Sequence, residues 1–233
     1  MARSIGYMGG RATDMRRTFM RRWVLAVTAG ETVGFIIPAA VGGALTFAAA
    51  PASVVYPLMI AAGACEGILL GLGQSIGFGS FGIPRAAWIT ATGGGAAVAW
   101  SIGMLPSTIG GVDFASPSAL ALIVVGAAVL LASIPTLQWL VLRRVVRRAS
   151  WWIPVNAGAW AVGILWTFAP SPFIDENTAL PALLGSYLVA GMLMAVTVGA
   201  LTGFAARHVV ESTHYSPAQG TDADKSIQQR PTP

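Results

Sequence analysis

The chain has 233 residues, of which 55% are hydrophobic and 10% charged, with 28 glycines and a formal net charge of +5. An ordinary soluble domain carries roughly 25% charged residues, so this composition excludes a water-exposed globular surface and predicts an all-α, polytopic transmembrane bundle. The positive charge does not make a nucleic-acid site, because it is banked at the ends of apolar runs, where membrane topology and anionic lipid headgroups account for it.

A span takes about 20 apolar residues to cross roughly 30 Å of hydrocarbon. Residues 1–22 are a basic segment carrying Arg3, Arg11, Arg16, Arg17, Arg21 and Arg22, and the first span is predicted from Trp23 to Phe47. Arg16-Arg17-Thr18-Phe19-Met20-Arg21 before it and Ala48-Ala49-Ala50 after it resemble a twin-arginine export signal and its cleavage site. The apolar run of 25 residues contains Glu31. It exceeds the roughly 7–15 residues of a signal core, so it is expected to be retained as a span.

The second span is predicted over Val54 to Ile76 and holds Glu66, Cys65 and Gln74. Its Gly63, Gly67 and Gly71 form a ridge of small residues that lets another helix approach. Cys65, the lone cysteine, forms no intrachain disulfide and is expected to be a small buried residue. Span 3 runs from Ala86 to Leu105 behind Arg85, with Gly93-Gly94-Gly95 inside it. Span 4 runs from Ala119 to Leu142, contains Pro135 and Gln138, and is followed by Arg143, Arg144, Arg147 and Arg148. In span 5, Ser150 to Ala169, Asn156 follows Pro154 and is expected to hydrogen-bond a carbonyl freed by the proline. Span 6 covers Ala182 to Ala206, and 207–233 is predicted to be a disordered cytoplasmic tail, polar and proline-containing from Glu211 onward.

All 14 basic residues fall on one side of this arrangement, and the three opposite loops hold Asp113, Asp175 and Glu176 instead. Basic segments stay in the cytoplasm, so six spans with both termini inside are expected.

A repeat runs through the spans. Arg85-Ala86-Ala87-Trp88-Ile89 opens span 3 and Arg148-Ala149-Ser150-Trp151-Trp152-Ile153 opens span 5, with Trp88 and Trp152 separated by 64 residues. Gln74 and Gln138 are also 64 apart, and a further 64 reaches Thr202. Trp23 to Gln74 is 51 residues, Trp88 to Gln138 is 50 and Trp152 to Thr202 is 50. These intervals predict three tandem two-helix hairpins related by a pseudo-threefold axis, each starting at an interfacial Trp anchor and returning to a polar residue at the same depth.

Ionisable groups at mid-bilayer cost about 2.5–3.5 kcal/mol on insertion scales and therefore need a reason. Glu31 lies 8 residues after Trp23 and Glu66 lies 8 residues before Gln74, which places both roughly 12 Å inward from the cytoplasmic marker on neighbouring antiparallel helices. Shifting Glu66 along the repeat gives Leu130 and Met194, so only the first hairpin is acidic there. No Lys, Arg or His lies in any span to pair with the two acids, and at least one is expected to hold a proton. Thr28 and Thr32 flank Glu31, and Glu66, Leu70 and Gln74 share a helix face. Glu31, Glu66, Thr28, Thr32 and Gln74 are therefore the candidate proton, cation or ligand site. The competing expectation is a protonated glutamate that only fixes helix packing.

Both histidines, His208 and His214, follow span 6, and no His-Glu-x-x-His motif, phosphate-binding glycine loop or nucleophile elbow occurs. Neither a metal, a cofactor nor a catalytic residue is expected, and the chain is not read as an enzyme.

Gln138-Trp139-Leu140-Val141-Leu142-Arg143-Arg144, followed by Trp151-Trp152, Asn156 and Trp160, is similar to a pattern in uncharacterised bacterial multi-pass membrane proteins. The resemblance covers mainly spans 2 to 5 and implies a bacterial inner-membrane location without any catalytic activity; Glu31 and Glu66 are not part of it. The expected function is a small transport or permeation protein for an ion or solute. The alternative is a structural or regulatory subunit that binds lipid, a membrane-protein partner or further copies of itself.

Overall fold

The computed structural model describes residues 2–108, 116–175 and 178–214. Among these residues are six α-helices: α1 (Ala2–Phe47), α2 (Ala52–Phe78), α3 (Arg85–Thr108), α4 (Pro117–Leu142), α5 (Trp152–Phe168) and α6 (Leu180–His214). Two short 3-10 turns precede and follow α5, and there is no strand among the described residues. Five of the helices are long and apolar enough to cross a membrane. The exception is α3, whose glycines, threonines and tryptophans dilute its aliphatic content.

Helices α1 and α6 reach beyond the apolar runs. The first begins inside the basic segment, and the last continues past Ala206 through Arg207, His208 and Glu211 to His214, so that part of the expected tail is helical. Arg16 on α1 pairs with Glu211 on α6 at 3.0 Å, and Arg207 approaches the same carboxylate at 3.7 Å. The pairs are partly exposed and join the two extensions side by side. Asp113, Glu176 and residues 215–233 lie outside the described residues.

Each helix packs against the next in sequence, and α6 packs back on α1, so the six close into a ring. The outer faces are apolar, with Leu25, Val33, Ile36, Leu72, Val124 and Leu188 among the exposed side chains, while Glu31, Glu66, Gln74, Gln138, Asn156 and Thr202 are buried. Apolar-out and polar-in is the distribution that hydrocarbon surroundings favour, since contiguous apolar surface is rarely left in water.

Small residues set the close contacts. A Cβ at Gly71 would stand 3.0 Å from Ile89 Cα on α3, and one at Gly95 would stand 2.5 Å from Ile134 Cα on α4. Gly67 of the same ridge faces Ala96 and Thr92. Cys65, midway between Gly63 and Gly67, is exposed on the outer face rather than buried as expected.

A cluster of buried apolar side chains lies at the arginine-bearing end of the ring. Trp23, Phe78, Trp88 and Trp152 meet edge to face, with centroids 4.7, 5.2 and 5.7 Å apart along the series. Leu142, Val146, Ala206 and Val209 close around them. Beside this core, α2 ends at Gly79, whose positive φ of +66° is a backbone conformation that glycine adopts without a steric penalty. The Arg22 guanidinium donates to the terminal carbonyls of Gly77 at 3.0 Å and Phe78 at 3.4 Å, placing a cation at the negative end of the helix.

Candidate functional site

Two polar layers are stacked inside the ring. The one at the arginine-bearing end is built from the tryptophans and polar residues whose spacing of 64 residues stands out in the sequence. Trp88 Nε1 donates to Gln74 Oε1 at 3.0 Å, Trp152 Nε1 donates to Gln138 Oε1 at 3.0 Å, and Trp23 Nε1 donates to Thr202 Oγ1 at 3.2 Å. These bonds join α3 to α2, α5 to α4 and α1 to α6. Gln138 Nε2 adds donations to Gln74 Oε1 at 2.7 Å and Thr92 Oγ1 at 2.9 Å. Trp23, Trp88 and Trp152 are all 0% exposed, so they are internal struts rather than the interfacial anchors expected from their position next to arginines.

Eight residues deeper, roughly 12 Å at 1.5 Å per residue, lies the second layer. There the ring holds a partly open cavity of about 300 Å³ to which all six helices contribute. Glu31, Ala96 and Trp160, each eight residues after a layer tryptophan, line it; so do Phe35, Trp100 and Ile164, each twelve after. Glu66, Leu130 and Met194, each eight before the layer's Gln or Thr, complete the wall. Gly103, Met104 and Thr167 carry the cavity toward the far ends of α3 and α5, away from the arginines.

The two carboxyl groups meet here. Trp100 Nε1 donates to Glu66 Oε2 at 2.8 Å. Glu31 is 1% exposed, and no donor reaches either of its oxygens. Glu66 lines the same cavity, and a bond between the two carboxyls forms only when one of them carries a proton. Helices α1 and α2 lie close at this depth, since a Cβ at Gly34 would stand 3.0 Å from the Glu66 carbonyl oxygen and 3.3 Å from its Cγ. Among the described residues no group of three or more His, Cys, Asp or Glu gathers that would hold a metal ion.

Of the five residues singled out in the sequence, Glu31 and Glu66 are brought together in the cavity. Gln74 sits in the other layer, with Leu70 between it and Glu66 on the same helix face. Thr28 and Thr32 are not part of the cavity wall. The Thr28 hydroxyl lies against Gly199 of α6 instead, and neither threonine oxygen has a partner. Asn156 is fully buried with neither amide atom bonded, so it does not cap a carbonyl as expected. The reason is local: Pro154 stands in the first turn of α5, where the backbone N–H has no helical partner and no carbonyl is freed.

Trp100, Phe35 and Trp160 are the site residues that sequence reasoning did not single out. The signal for them was the same ruler, since all three fall at fixed steps from the layer tryptophans. Family models, curated proteins and solved structures give no match to this chain.

Proposed function

We propose that this ring is a small membrane transport or permeation protein in which the Glu31–Glu66 pair exchanges a proton or a cation. The carrying observation is a pair of buried acids, without a basic partner, facing each other in a cavity on the axis of the bundle. Membrane-embedded carboxyls are costly and mark ion or substrate pathways when they line a cavity. In this reading all six helices span the bacterial inner membrane, both termini are cytoplasmic, and the Trp–Gln layer lies on the cytoplasmic side as the closed gate. The cavity faces the other side.

The same reading takes the six helices as three tandem hairpins about a pseudo-threefold axis. Its support is the recurrence of one Trp-to-polar hydrogen bond three times around the ring, and the way each step along the repeat returns to the cavity wall. Departure from symmetry at Glu31 and Glu66 is then functional: one hairpin carries the acids, and the equivalent positions in the others are Ala96, Trp160, Leu130 and Met194.

Flux supplies the test. Purified protein reconstituted into vesicles with an internal pH dye should dissipate an imposed proton gradient, and Glu66→Gln, which keeps the shape and the Trp100 hydrogen bond, should lower the rate at least tenfold. Equal rates in wild type, Glu66→Gln and protein-free vesicles would remove transport through this site. A sealed Trp–Gln layer also suits a subunit that serves as a scaffold for lipid or protein, and a partner co-purifying at fixed stoichiometry with no flux would favour that reading.

A further inference from the structure

The cavity around the glutamate pair is not built for a bare metal ion. Hard divalent cations collect six to eight oxygen ligands. Here the two carboxyls and the Thr167 hydroxyl are surrounded by hydrocarbon and aromatic rings such as Leu131, Ile134 and Met104. Charge and surface ask for different things: the acids call for one positive charge, and the wall calls for an apolar body.

Three aromatic side chains, Phe35, Trp100 and Trp160, line the same space from α1, α3 and α5. Aromatic faces attract organic cations within about 6 Å through the ring quadrupole, and more strongly when water is excluded. A volume of about 300 Å³ is at the lower end for small-molecule sites and suits a compound of one ring with a short cationic arm. Both Glu31 oxygens and the Trp160 indole nitrogen are enclosed without a partner, so the site contains polar atoms that its own protein does not satisfy. Glu31 and Glu66 are the titratable groups among the residues lining the cavity.

We propose that the cavity takes a small lipophilic organic cation, an aromatic amine or quaternary ammonium, in exchange for a proton carried by one of the two acids, Glu31 or Glu66. This rests on the transport reading of the same pair. The exchange conserves charge. As the cation enters, one carboxyl O–H bond breaks, the proton leaves to water, and the carboxylate formed neutralises the bound cation against the aromatic wall.

The test uses the full-length protein in lipid nanodiscs and benzyltrimethylammonium as the probe, because its charge does not vary with pH. Calorimetry should show saturable binding at one site, with about one proton released per cation, read from the dependence of the heat on buffer ionisation enthalpy. Glu31→Gln and Glu66→Gln should each weaken binding at least tenfold. Neopentylbenzene, of the same shape without the charge, should not compete. In case a variant fails to fold, the wild type gives an independent reading: the cation should protect it from modification by a hydrophobic carbodiimide. Absence of saturable binding and of protection, or equal competition by neopentylbenzene, would overturn the organic-cation assignment. If Glu66-dependent proton flux persists in that case, the transport reading stands and only the substrate class falls. If flux is absent as well, both fall together.

Discussion

Replacing Gln138 with leucine is expected to destabilise the protein by about 2–4 kcal/mol, although the two side chains have similar volume. Gln138 is 0% exposed and ties three helices at once through Trp152 on α5, Gln74 on α2 and Thr92 on α3. Interhelical hydrogen bonds in membrane proteins contribute only about 0.6–2 kcal/mol each. A donor stranded in a dry core adds about 1–3 kcal/mol. Gln74 Oε1 keeps the Trp88 bond and Thr92 keeps its donation to the Trp88 carbonyl, so the stranded group is the Trp152 indole N–H. Combining Gln138→Leu with Trp152→Phe should therefore recover part of the loss, because both ends of one bond are then apolar. Unfolding in graded denaturing detergent, followed by tryptophan fluorescence, measures the cycle. Strict additivity of the two substitutions would show that this bond does not hold the layer together.

Gly95→Ala should cost at least as much as a typical overpacking substitution, about 1–3 kcal/mol. The added Cβ meets Ile134 Cα at 2.5 Å, Ile134 N at 3.0 Å and the Ser133 carbonyl oxygen at 3.1 Å. All three are backbone atoms of α4, so no rotamer change relieves the clash and α3 and α4 must separate. Gly158→Ala is the matched control: its Cβ meets nothing within 4 Å, and it should leave stability unchanged or slightly raised. Thermal midpoints of the two variants in the same detergent decide the matter. A Gly95→Ala protein as stable as Gly158→Ala would mean that the α3–α4 contact is looser than described.

The helices were legible because hydrocarbon imposes a length and a composition on anything that crosses it. The depth of Glu31 and Glu66 was legible for a related reason: rise per residue converts equal intervals from Trp23 and Gln74 into equal height. Height is not direction, however. Each residue turns a helix by about 100°, so spacing alone did not reveal that Trp23, Trp88 and Trp152 point inward to hydrogen-bond partners, or that Thr28 turns toward α6 and away from the acids. Cys65 shows the same limit from the other side. It lies one residue from Glu66, yet it is on the outer face while Glu66 is inside. Trp100 was hidden because an aromatic residue in a glycine-rich helix reads as packing until its indole is seen on a carboxylate.

The most direct test of the central claim, a proton carried by Glu31 or Glu66 in the cavity among the six helices, is modification of the purified protein by a hydrophobic carbodiimide across pH, with the adduct located by mass spectrometry. The reagent attacks protonated carboxyls in apolar surroundings. The account predicts adducts on one or both of these two glutamates, falling as pH rises and lost at each site in the corresponding Gln variant. Modification of neither glutamate at any pH, with both Gln variants folded and as stable as wild type, would contradict it.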